Sequence, residues 1–290
     1  VSGGAEGAAI VWDPQCDDQG ERRTLTGATG QIAWVGFAPD GRRVGAVAED
    51  GVLRVWDPDD PEEPEVVPLD PEDPPSAAAF LDDARLLVGT ECGHVLAVTA
   101  DAVTELQAPH VGRISAVATA PGLTATCSVD GSVVLWRTAA LEAVAEVPGG
   151  RLYPVHAAAF TADGRVLVLA GDAIEERLSL WDVDDPARPR RLPTPPRVHD
   201  HGIVAVAIAA RRPLLATGST DTSIVLWDMA DPTRPTPFAG PIRGLGAVVQ
   251  SLALDPDGHT LVAALADGTT ALFDLTDAAA SQPVSLLPLG

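Results

Sequence analysis

Five of the six tryptophans in this 290-residue chain sit at one recurring position, the end of a short apolar run followed by an acidic residue or its substitute: Trp12-Asp13, Trp56-Asp57, Trp136-Arg137, Trp181-Asp182 and Trp227-Asp228. Two degenerate rungs, Val98-Thr99 and Phe273-Asp274, complete a ladder whose steps are 44, 42, 38, 45, 46 and 46 residues. A period in this range marks propeller blades, small sheets that cannot bury their apolar faces alone and are covered by their neighbours. The ladder predicts a single all-β domain over 1–290, a seven-bladed β-propeller with four antiparallel strands per blade. Its blades fall at about 1–28, 29–70, 71–108, 109–149, 150–195, 196–240 and 241–290.

Aligned on the rungs, each unit reads as an inner strand, a turn, a second strand, a tight turn, the run ending in the rung, and a proline-rich outer strand. First strands are expected at 32–38, 76–80, 114–120, 156–160, 203–209 and 249–255. The turns Pro39-Asp40-Gly41, Ala162-Asp163-Gly164 and Pro256-Asp257-Gly258 supply proline's preset φ or glycine's tolerance of positive φ. After the rungs, acidic proline-bearing loops of one design are read at 57–64, 182–189 and 228–235, where proline blunts an outer edge. The first unit is expected to be incomplete. VSGG reads as the tail of a second strand, so an inner strand of Trp12's blade would lie upstream of Val1 in a longer polypeptide.

Composition narrows the chemistry. Against 41 acidic residues stand 19 basic ones, all arginine, for a formal net charge of -22, which repels phosphate backbones; no nucleic-acid partner is expected. Without lysine there is neither a GxxxxGK phosphate loop nor a Schiff-base lysine, and without asparagine there is no N-glycosylation acceptor. This depletion beside abundant Ala, Arg, Gly and Pro points to a GC-rich bacterial genome. Cys16, Cys92 and Cys127 lack CxxC spacing, so a reducing, cytoplasmic setting is expected, with no zinc site of cysteines. No apolar run approaches the roughly 18 residues of a membrane span, and no membrane partner is expected.

The recurring rungs resemble those of the tryptophan-aspartate (WD) repeat β-propellers over nearly the whole chain. In that family a histidine, a serine or threonine, an aspartate and the rung tryptophan form a hydrogen-bonded structural tetrad. The resemblance implies two complete tetrads here, His110, Thr126, Asp130 and Trp136, then His199, Thr217, Asp221 and Trp227. Elsewhere the pattern decays, with Ala28 and Arg151 at the histidine position, Cys92 at the aspartate position and Val98 or Phe273 on the rung. The loop signature WD-x-x-DP-x-x-P is also similar to actinobacterial WD-repeat regions fused to larger signalling proteins. The function implied is a non-catalytic protein-interaction scaffold or sensing module within a bacterial signalling or defence protein. Its partner would be a protein or peptide, an upstream domain of the same polypeptide included. Projecting the family's partner-contacting rim positions gives Gln31, Glu49, Glu91, Arg113, Ser115, His156 and Gln250. Arg113 is the best single anchor of that set, since interfaces concentrate energy in tryptophan, tyrosine and arginine.

The alternative is a hydrolase using a His/Asp/Ser site at the channel mouth. Ser219, His199 and Asp221, or Ser128, His110 and Asp130, have the residue types of a triad in which a base activates a hydroxyl. Both sets occupy one repeat register, each aspartate six residues before a tryptophan, and no GxSxG elbow is present, which favours a structural role and no catalytic residues. His199-Asp200-His201 with His156 has the look of a metal set, but His199 is already engaged in the tetrad. No metal and no cofactor is expected. The acidic clusters lack the DxDxDG spacing of a calcium loop.

Overall fold

The computed structural model describes residues 1–4, 6–11, 23–148, 153–173, 177–238 and 240–276, and the backbone of 283–288. Trp12 and Cys16, and Arg151 at the fifth histidine position, lie outside the described residues. Seven antiparallel sheets follow one another along the chain, and among the described residues there is no helix. Six sheets have four strands in sequential order and the first has three, Ser2–Gly3, Ala9–Val11 and Arg23–Leu25. These are the seven blades required by the period of the rungs.

The chain divides into two compact units, Val1–Thr119 and Ala120–Gly290. In the first unit, the second sheet consists of Ile32–Phe37, Val44–Ala48, Val52–Asp57 and Asp60–Pro68. The third consists of Pro75–Phe80, Leu86–Thr90, Val95–Val98 and Val103–Leu106. In the second unit the sixth sheet runs Ile203–Ile208, Leu214–Ser219, Ile224–Asp228 and Thr236–Pro237. Several second strands are buried on both faces, as in a sheet covered on each side: Val44–Ala48, Leu86–Thr90 and Leu214–Ser219 are buried at every residue, while Thr260–Leu265 alternates between half-buried and buried.

One packing rule recurs within each unit. A rung side chain lies against the preceding sheet, on the residues three and one before that sheet's own rung. Trp56 clusters with Ala9 and Val11, Trp227 with Leu178 and Leu180, and Phe273 with Ile224 and Leu226. Close approach of neighbouring sheets demands small residues on the second strand. A Cβ at Gly89 would come within 2.3 Å of Ile114, and one at Gly218 within 2.4 Å of Val249.

Two features differ from the expectation. Residues 60–64, read as part of a loop, belong to the nine-residue outer strand Asp60–Pro68, which pairs with Val52–Asp57 across a register shift. Pro61 and Pro64 are accommodated because an outermost strand needs ladder bonds on one side only. The comparable stretches remain loops after their first residue, at 183–189 and 229–235, and lead into two-residue outer strands, Arg190–Arg191 and Thr236–Pro237. The second feature is a register shift at the start of five of the described first strands, leaving Ala33, Ser76, His156, Val204 and Gln250 each as the extra residue. A bulge re-aims the side chain it releases from the ladder.

Candidate functional site

In the sixth sheet the register sets the polar core. Trp227 pairs with Leu215, so Thr217, two residues further along the second strand, lies within reach of the indole. Trp227 Nε1 donates to Thr217 Oγ1 at 2.9 Å, and His199 Nε2 lies 2.8 Å from the same oxygen. His199 Nδ1 is 3.0 Å from Ser223 Oγ and 3.4 Å from Asp221 Oδ2. Asp221 also accepts the Ser223 hydroxyl, the Ser223 N–H at 2.9 Å and the Asp200 N–H at 2.7 Å. The side chains of His199 and Asp221 are only 1% and 4% exposed.

Burial disfavours the imidazolium and lowers the His199 pKa, against the pull of Asp221. For Asp221, burial acts to raise the pKa, but the Ser223 hydroxyl, the Asp200 N–H and the nearby His199 outweigh it and bring the carboxyl down to about 2. The turn that presents this carboxylate carries strain. Thr222 has φ of 66°, a left-handed conformation taken at the matching turns by Gly51, Gly93, Gly131 and Gly268.

The fourth sheet places Trp136 Nε1 2.9 Å from Thr126 Oγ1, which accepts its hydrogen bond. Asp130 accepts the Ser132 N–H at 2.7 Å and the Ser132 hydroxyl, and His110 is buried. The Ser219 hydroxyl, which a hydrolase would need on the imidazole, donates instead to the Gly202 carbonyl at 2.8 Å and accepts the Asp221 N–H at 3.1 Å. Ser219 Oγ is thus committed to backbone groups, while His199 is held by Thr217 and Ser223.

Four of the seven projected rim residues are brought together in two pairs. The Gln31 carbonyl accepts the Glu49 N–H at 3.0 Å, and Arg113 Nε lies 2.9 Å from Glu91 Oε1, two candidates forming one exposed ion pair. His156, a bulged residue, has Nε2 2.7 Å from Asp172 Oδ2. Ser115 is half-buried and Gln250 exposed. Sequence reasoning does not find Asp172, although it holds the same place as Glu49 and Glu91. Each directly follows its second strand, which ends at Gly171, Ala48 and Thr90 respectively.

A further polar cluster escapes sequence reasoning because its aspartate is remote along the chain. Asp73 Oδ2 is 2.5 Å from His94 Nδ1, and Asp73 Oδ1 accepts the Cys92 N–H at 2.8 Å. The hydrogen bond that the His94 ring donates to Asp73 raises the His94 pKa. The same carboxylate raises the Cys92 thiol pKa, the opposite of what a nucleophilic thiolate requires. Among the described residues, no three His, Cys, Asp or Glu side chains group closely enough to hold a metal ion, and no helix is long and apolar enough to cross a membrane.

Residues 20–57 and 194–228 match the family profile described as "WD domain, G-beta repeat". The second stretch contains His199, Thr217, Asp221 and Trp227, and the first ends on Trp56-Asp57. The two matched stretches are similar to that repeat, whose propellers generally serve as protein-interaction scaffolds, and the seven successive antiparallel sheets have the blade order of a β-propeller. No curated protein matches the chain.

Proposed function

We propose that this chain is a non-catalytic protein-interaction or sensing module whose sheets present rim residues that meet a protein or peptide. The observation that carries this reading is the engagement of His199 by Thr217 and Ser223, with Asp221 held by three donors from Ser223 and Asp200. Groups that could act on a substrate are instead bonded to their own repeat. Rim positions Gln31, Glu49, Glu91, Arg113, Ser115, His156 and Gln250 are the proposed contact set, with Asp172 added beside His156. The finer reading, a cytoplasmic module of a bacterial signalling or defence protein, is supported by the resemblance of its WD-x-x-DP-x-x-P loops.

The test uses Glu91→Arg, Arg113→Glu and His156→Glu together, all at half-exposed or exposed sites. Capture from a lysate of the source cells should yield a partner with the unaltered chain and lose it with the triple variant at unchanged melting temperature. Hydrolysis of a generic ester panel that disappears in a folded His199→Ala variant would overturn the proposal.

A further inference from the structure

The third sheet keeps the position of the rung but not its bulk. By register Val98 faces the second sheet's Leu53 and Val55, as Trp227 faces Leu178 and Leu180. Valine is much smaller than an indole. Beside it lies an open cavity of about 170 Å³ walled by Leu53, Val55, Phe80 and Leu86, with Thr99 and Ala100 following the Val98 rung at its edge. A closed cavity of about 150 Å³ lined by apolar side chains takes up a benzene-sized group, and this open one, apolar at its floor and polar at its edge, has room for one leucine or phenylalanine side chain.

The charge around the opening selects what could carry that side chain. Glu65, Asp83 and Asp101 line the cavity against a single Arg43. The adjoining segment 57–65 adds Asp57, Asp59, Asp60, Glu62 and Glu63 to Glu65, of which Asp59 is paired with Arg23. Such a surface repels acidic segments and draws basic ones. Pro61, Pro64 and Pro68 remove N–H donors from the adjacent outer strand, which disfavours strand addition and leaves side-chain insertion as the mode.

From the open cavity with its apolar floor and acidic mouth, we infer that the gap between the second and third sheets is a docking pocket for one apolar side chain on an arginine- or lysine-rich segment of a protein partner. This rests on the interaction-module reading but places the contact away from the proposed rim.

The probes are labelled five-residue peptides with two arginines on each side of a central alanine, leucine or phenylalanine, measured by fluorescence anisotropy. The leucine and phenylalanine peptides should bind about tenfold or more tightly than the alanine peptide, the difference reporting apolar burial. Ala84→Trp and Ala100→Trp, at exposed cavity-lining positions, should abolish that difference while leaving weak alanine-peptide binding and the melting temperature unchanged. Equal binding of all three peptides would overturn the pocket, as would discrimination that survives both plugs. Phenethylammonium binding as tightly as the phenylalanine peptide would overturn the commitment to a protein segment. Loss of the pocket with partner capture through the rim intact would remove this inference and leave the module reading standing.

Discussion

The second and sixth sheets bury the same indole in the same register with different polar consequences. Trp227 donates to Thr217, and Trp136 to Thr126 in the fourth sheet, whereas Trp56 Nε1 is buried without a hydrogen-bond partner. The cause is one residue: two positions beyond the strand partner of the rung stands Thr217 in the sixth sheet and Ala46 in the second. Trp181, with Leu169 at that position, is orphaned in the same way. Rung packing therefore does not depend on the polar tetrad. Apolar burial of the ring suffices to hold a sheet against its neighbour, and the tetrad adds direction and a buried charge.

The comparison is broken most directly by removing the rings. Trp227→Ala and Trp56→Ala should each cost about 3 to 5 kcal/mol in denaturant titration, with the larger loss at Trp227. A Trp56 variant losing under about 1 kcal/mol would show that the orphaned ring contributes no packing.

Acid titration reaches the buried carboxylate of the sixth sheet's tetrad. Asp221, lowered to about 2 from an ordinary 3.8, contributes stability that is fully present above the unfolded pKa and is lost as pH falls through the folded one. The contribution is about 2 kcal/mol, read from the acid limb of stability against pH, and Asp221→Asn should remove that dependence. His199, also lowered, adds a loss of stability as pH falls below the usual histidine value. His94, raised by Asp73, has the opposite sign: its contribution is present at low pH and lost as pH rises through its folded pKa. In a histidine NMR titration His94 should therefore titrate above free histidine and His199 below it.

Smaller substitutions sharpen the contrast. Trp227→Phe leaves the Thr217 hydroxyl without its indole donor and should cost about 1 to 3 kcal/mol more than Trp56→Phe, which removes an N–H that has no partner. Ala46→Thr should give Trp56 an acceptor and raise stability by about 0.5 to 1.5 kcal/mol. Thr222→Gly should relieve the left-handed turn by up to about 1 kcal/mol; destabilisation would show that the threonine side chain, not the backbone, fixes Asp221.

Much of the fold was legible because its signal is carried by chain-local residue types. Rung spacing set the sheets and glycine-bearing turns set the strand breaks, while His199, Thr217 and Asp221 were pointed to only by the resemblance to the WD-repeat family. The bulges at Ala33, Ser76, His156, Val204 and Gln250 were not legible, since a bulge is a difference in length between paired strands and alters no residue pattern in either alone. Nor was the pairing of Asp73 with His94, which are 21 residues apart, or that of Arg113 with Glu91, where two separately projected rim residues neutralise each other.

The sequence by itself determined the repeat, its strand order and where a tryptophan or a hydroxyl is present, because these depend on residue identity and spacing. Only the tertiary structure decided which indoles find an acceptor, how far burial and donors move Asp221 and His199, and that the short Val98 rung lies beside an open cavity. Those properties arise between strands and between sheets, where distance and exclusion of water are set by packing that no single segment encodes.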